Sequence, residues 1–96
     1  MQIRWSPDAA ADLESIIDYL RRDSPAVAHR IGQAIYDRLN ILGAFPYSGK
    51  VGRVEGTREL ALPPLPFIVV YRVLESAEAV EIVNVIHGAQ RWPPAG

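Results

Sequence analysis

The chain has no cysteine, one methionine and, in Lys50, a single lysine among its ten basic residues. Without cysteine there is no disulfide framework, no thiolate nucleophile and no thiolate-bound zinc, so a reducing compartment poses no difficulty. No window approaches the ~18 apolar residues of a membrane span, and the start, Met-Gln-Ile-Arg-Trp, lacks a basic stretch followed by an apolar one. The expectation is a cytoplasmic protein with no membrane partner. Basic excess is missing too. The formal charge is -1 with a pI of about 6.1, and neither half of the chain is basic. A protein that holds nucleic acid chiefly through its phosphates carries a clear positive balance, so any cationic patch here must be local. Neither histidine, His29 or His87, has ligand-spaced neighbours. No metal or cofactor is expected, and His29 reads as a surface residue.

At 96 residues the chain is expected to form one domain, 1–96, around one core. Its densest feature is Phe67 to Leu74, Phe-Ile-Val-Val-Tyr-Arg-Val-Leu, followed by a second apolar run from Val80 to His87. Eight residues rich in β-branched and aromatic types, entered through Pro63, Pro64 and Pro66, predict a central strand covered on both faces. Arg72 is its one charged side chain. It must find a partner, with Glu59 or Glu81 in reach, or stand at the mouth of a site.

Gln2 to Trp5 alternates as an edge strand does, and Ser6-Pro7-Asp8 then starts a helix. The serine oxygen accepts an orphan amide, and proline has none to orphan. Leu13, Ile16, Ile17 and Leu20 make one apolar stripe ending near Arg22. Asp23-Ser24-Pro25 repeats the signal, and Ala28, Ile31, Ile35, Leu39 and Leu42 carry a second stripe to Gly43, which reads as a C-terminal stop. Two amphipathic helices joined so closely predict an antiparallel hairpin. Residues 44–56 read as an irregular loop bearing Lys50 and Arg53. Its Ser-Gly-Lys-Val-Gly lacks the upstream glycine, the hydroxyl after the lysine and the preceding strand of a phosphate loop. Residues 57–62 predict a strand with Arg58, Leu60 and Leu62 on one side and Thr57, Glu59 and Ala61 on the other. Turns at 63–66 and 75–78 complete a three-strand antiparallel meander. The fold class is α+β, in the order β-α-α-β-β-β, with an antiparallel sheet packed on an N-terminal helical hairpin.

The closing His87-Gly88-Ala89-Gln90-Arg91-Trp92-Pro93 carries a resemblance. So do Gly56-Thr-Arg-Glu-Leu, the two apolar runs and the Ser-Pro-x-Ala-x-x-Asp-Leu start of the first helix. In order and spacing these segments resemble the RelE/ParE superfamily, the toxins of bacterial type II toxin-antitoxin (plasmid stabilisation) modules, across nearly the whole chain. The resemblance implies that fold, growth arrest, and a cognate ParD-like or RelB-like antitoxin through which alone operator DNA is engaged. It implies one of two activities: ParE-like poisoning of DNA gyrase without chemistry, or RelE-like cutting of mRNA on the ribosome. A toxin fold retained only as co-repressor with its antitoxin is a third class.

A metal-free ribonuclease must activate a 2'-hydroxyl, stabilise the phosphorane and protonate the leaving oxygen. On the RelE-like reading the matching positions are His87, Arg72, Arg58 and Arg91. The alternative reading of His87 is a hydrogen-bonded residue that ends the last strand before Gly88. Surfaces for the antitoxin or target would draw on Lys50, Arg53, Arg58, Tyr71, Arg72, Gln90, Arg91 and Trp92, with Trp92 able to stack on a base. The acidic pI favours the ParE-like branch, because a near-neutral chain forfeits most of the counterion release that binding among ribosomal phosphates supplies.

Overall fold

The computed structural model describes residues 1–95. Helix α1 spans Pro7–Asp23 and helix α2 spans Pro25–Ala44. Both serine caps operate as the sequence predicts. The Ser6 hydroxyl accepts from Ala9 N at 3.0 Å and the Ser24 hydroxyl from Val27 N at 3.3 Å. Ser24 closes α1 and opens α2, so the hairpin turns on a single residue. The α2 stripe Ile35, Leu39 and Leu42 is buried against the sheet, together with Ala9 of α1.

The sheet has five strands in the order β1-β5-β4-β3-β2. They are β1 (Gln2–Trp5), β2 (Lys50–Val51), β3 (Arg58–Ala61), β4 (Phe67–Leu74) and β5 (Ala79–His87). β4 is central, and Val69, Val70 and Tyr71 in its middle are fully buried. Phe67, Val69, Tyr71 and Val73 alternate onto the helix-covered face, where they meet Val80, Ile82 and Val85 of β5. A bulge in β5 shifts the register between Val70 and Tyr71, pairing Val70 with Asn84 but Tyr71 with Ile82.

Several expectations change. The sheet is mixed rather than antiparallel, because β1 lies parallel to β5, Gln2 beside Ala79 and Trp5 beside Ile82. The hairpin between β1 and the meander serves as the crossover that a parallel neighbour requires. Gly43 is no helix stop. α2 runs on to Ala44 and is capped by Phe45 N donating to Ile41 O. Gly43 is needed for packing, since a Cβ there would lie 2.7 Å from Met1 O, and the Met1 amine donates to Gly43 O at 2.6 Å. The stretch 44–56 is not an open loop either, because Lys50 and Val51 pair with Glu59 and Arg58 as β2.

Candidate functional site

The segment carrying Lys50 and Arg53 is clamped from several sides. Gly49 N donates to the Tyr71 hydroxyl at 2.9 Å, and Arg58 Nη1 donates to Gly49 O at 2.7 Å. The Arg58 guanidinium lies over the Tyr47 ring, 4.9 Å from its centroid, and Tyr47 OH donates to Glu75 across the sheet end. Further along, Gly52 N donates to Thr57 O at 2.8 Å, and Arg53 closes on Glu59. Tyr47, Val51, Thr57, Arg58, Val73 and Glu75 border a cleft of about 800 Å³ at this end of the sheet.

Glu59 was a candidate partner for Arg72, but Arg53 takes it. Glu59 is 2% exposed, and Arg53 reaches it with its backbone amide at 2.8 Å and its Nη2 at 3.0 Å. Hydrogen bonds from the Arg53 side chain, aided by its charge and that of Lys50, hold the Glu59 carboxyl below its ordinary range although burial pushes it up. Arg72 is half-buried. It lies beside Glu81 in register without forming an ion pair among the described residues, and its Nη1 reaches Glu55 O at 3.4 Å. Neither anticipated carboxylate is its partner.

The four residues of the nuclease reading do not gather. Arg58 pairs with Tyr71 and so shares the helix-covered face, whereas Arg72, the next residue on β4, points to the opposite face. His87 pairs with Phe67 at the far end of β4, five residues from Arg72, which is about 16 Å along a strand. Arg91 lies in the exposed segment beyond β5. Two of the proposed contact residues are already committed. Tyr71 is fully buried, so it supports the loop from inside and cannot touch a partner as the sequence suggested. Arg53 spends its charge on Glu59. Lys50, Arg72 and Arg91 have no ion-pair partner among the described residues.

Around His87 the chain makes a compact turn. His87 N donates to Gln90 Oε1 at 3.2 Å, Gln90 N donates to His87 O at 2.9 Å, and Ala89 N donates to the imidazole Nδ1 at 3.0 Å. Gly88 N bonds Pro66 O at 2.7 Å, tying the turn to the start of β4. Gln90 is therefore part of the turn. Trp92 is half-buried, and its Nε1 is buried with no acceptor among the described residues.

The helix-start motif proves to be a seam rather than a site. Ser6 N and Oγ donate to Ile82 O and Val83 O, and Asp12 Oδ2 accepts from Val85 N and Asn84 Nδ2, both at 2.9 Å. Beyond β1 the edge of β5 lacks a strand, and Asp12 satisfies an amide that would otherwise be orphaned. Part of the two apolar stripes stays uncovered: Leu13, Ile17 and Ala28, with Trp5, Gly32 and Tyr36, border an open groove along the hairpin. Tyr36 is 52% exposed. An aromatic residue off the α2 stripe was the available signal.

Comparison with known proteins places these features. Residues 3–92 match the family described as ParE toxin of type II toxin-antitoxin system, parDE. A Sinorhizobium fredii protein named "Putative toxin Y4kP" is 38% identical over 92 residues, covering 96% of this chain and 93% of that protein. Toxin RelE2 of Caulobacter vibrioides is 32% identical over 89 residues, covering 93% of this chain and 97% of its own. Among solved structures, one described as the chromosomal ParDE TA system from P. aeruginosa superposes with a TM-score of 0.79 at 30% identity, covering 91% of this chain and 95% of that one.

Proposed function

The chain belongs to the ParE toxin family of type II toxin-antitoxin systems, and from that premise we propose that it arrests growth by poisoning DNA gyrase through a protein surface, without chemistry of its own. The observation that carries this reading is the dispersal of Arg58, Arg72 and His87 over two faces and two ends of the sheet. A ribonuclease needs its base, its acid and its phosphate-stabilising cations around one phosphodiester. The formal charge of -1 points the same way.

A cognate ParD-like antitoxin neutralises the toxin. Its amphipathic segment finds an apolar floor in the groove between α1 and α2, with Arg21 and His29 on the rim. Operator DNA is reached through the antitoxin.

The test is a gyrase assay on the purified chain, run beside primer extension on mRNA after induction in cells. Lost supercoiling with trapped, cleaved DNA and uncut messages is the expected result. An unaffected gyrase at micromolar toxin overturns the reading. Message cuts that vanish in His87→Ala and Arg72→Ala would then assign the chain to the ribosome-dependent nucleases, and the absence of any growth arrest would leave the co-repressor role.

A further inference from the structure

Two buried side chains lie outside the core beneath the helices. Along β4, Ile68, Val70 and Arg72 alternate onto the face turned away from α1 and α2, and Ile86 of β5 stands beside Ile68 in register. Val70 is fully buried and Ile86 is 2% exposed, yet neither belongs to the core cluster that the helices cover. Another part of the chain must keep water from them. We infer that residues 91–95 form a strap, latched over this row by Trp92 alone, that opens without unfolding the domain.

The cover follows by elimination. Arg53 closes on Glu59, which pairs with Val70, and so reaches the row from the β3 side. Leu65, in the turn before β4, packs with the helix-side core. What remains is the chain after β5. Gln90 N donates to His87 O at 2.9 Å, and this turn reverses the backbone at the end of the strand that carries Ile86. Trp92, two residues on, is half-buried in a segment whose other described members are exposed. It is also the only large apolar side chain between Gly88 and Ala95.

The same residues show why the latch is weak. None of residues 91–95 makes a backbone hydrogen bond among the described residues, and Pro93 and Pro94 have no amide to give. A segment held by so few bonds opens locally, well below the cost of global unfolding. Trp92 Nε1 is buried with no acceptor among the described residues, so closing the strap strips water from a donor and returns no hydrogen bond. Apolar contact holds the ring down while its unpaired donor works against it. Opening restores the hydration of that donor and bares an apolar row ending in Arg72, a cation without an ion-pair partner among the described residues.

The experiment is NMR on the full chain. Nuclear Overhauser contacts are expected between the Trp92 indole ring and the methyl groups of Ile68, Val70 or Ile86, and Trp92→Ala should move those methyl signals while leaving Val69, Ile82 and Val85 in place. Hydrogen exchange then reads the opening. The Trp92 indole N–H should be protected at least ~100-fold less than the amides of Val69 and Ile82, at a rate that urea below the unfolding transition does not change. Contacts of the ring with the helix-side core instead, or an indole N–H that exchanges only with the core amides and responds to urea as they do, overturn the inference. Should Trp92→Ala fail to fold, the contacts and exchange of the unsubstituted chain decide alone. Both are read on the isolated toxin, so failure here leaves the gyrase reading standing, and failure there leaves the strap.

Discussion

Arg53 and Glu59 hold each other through four hydrogen bonds: the Arg53 amide to Oε2 at 2.8 Å, Nε to both carboxylate oxygens at 3.2 Å, and Nη2 to Oε1 at 3.0 Å. The pair fastens the turn after β2 to the open face of β3. The carboxylate is buried while the arginine side chain is 46% exposed.

Stability should therefore fall in acid through Glu59. Its carboxyl is depressed in the folded state, so the stabilisation is complete above the ordinary value of 4.5 and is lost as pH falls through the lower folded value. Glu59→Gln should cost about 1–2 kcal/mol at neutral pH, less than a fully buried pair because Arg53 is half in water. Urea midpoints measured at neutral pH and below 4.5 should differ less in the variant than in the parent.

Gly49 should not tolerate a side chain. A Cβ there would sit 2.6 Å from the Tyr71 hydroxyl and 2.8 Å from Glu59 O, both held by the sheet. Gly49→Ala should destabilise by about 2 kcal/mol or more. Tyr71→Phe, which leaves the Gly49 amide unpaired, should cost about 1–3 kcal/mol. Thermal unfolding of both variants checks the pair, and a neutral Gly49→Ala would disprove the clamp.

Asp12→Ala should open the free edge of β5. Val85 N and Asn84 Nδ2 lose their shared acceptor, at a cost of about 1–3 kcal/mol. The local readout is hydrogen exchange, with the Val85 amide accelerating more than its neighbours on β5.

Charge reversal at Arg72 or Arg91 should weaken the antitoxin complex while leaving the fold intact, because neither side chain has an ion-pair partner among the described residues. Arg58→Glu should weaken it too, but with a loss of stability, since Arg58 also holds Gly49 O and stacks on Tyr47. Calorimetry of each complex, paired with the Tm of the free toxin, separates the effects. Unchanged affinity across all three positions refutes acidic contacts there.

Most of the fold was legible because its signals are local. Ser6-Pro7 and Ser24-Pro25 cap the helices from within four residues, and Phe67 to Leu74 declares a buried strand by composition alone. The two-residue β2 gave no such signal. Lys50 and Val51 become a strand only because β3 and the Tyr71 hydroxyl hold the segment against them. The candidate site was less legible still. The family resemblance groups Arg58, Arg72 and His87, yet strand pairing puts Arg58 and Arg72 on opposite faces of the sheet and His87 at the far end of β4.

By itself the sequence determined the hairpin, the central strand, the β3-β4-β5 meander and family membership, all of which rest on residues close in the chain or on the order of short motifs. Tertiary structure alone decided what depends on register and long-range pairing. It set β1 parallel to β5, gave Glu59 to Arg53 rather than Arg72, brought Asp12 to the edge of β5, and folded His87 into a turn with Ala89 and Gln90. The physical reason is that a side chain's face follows from strand pairing, and pairing is settled by burying the core as a whole.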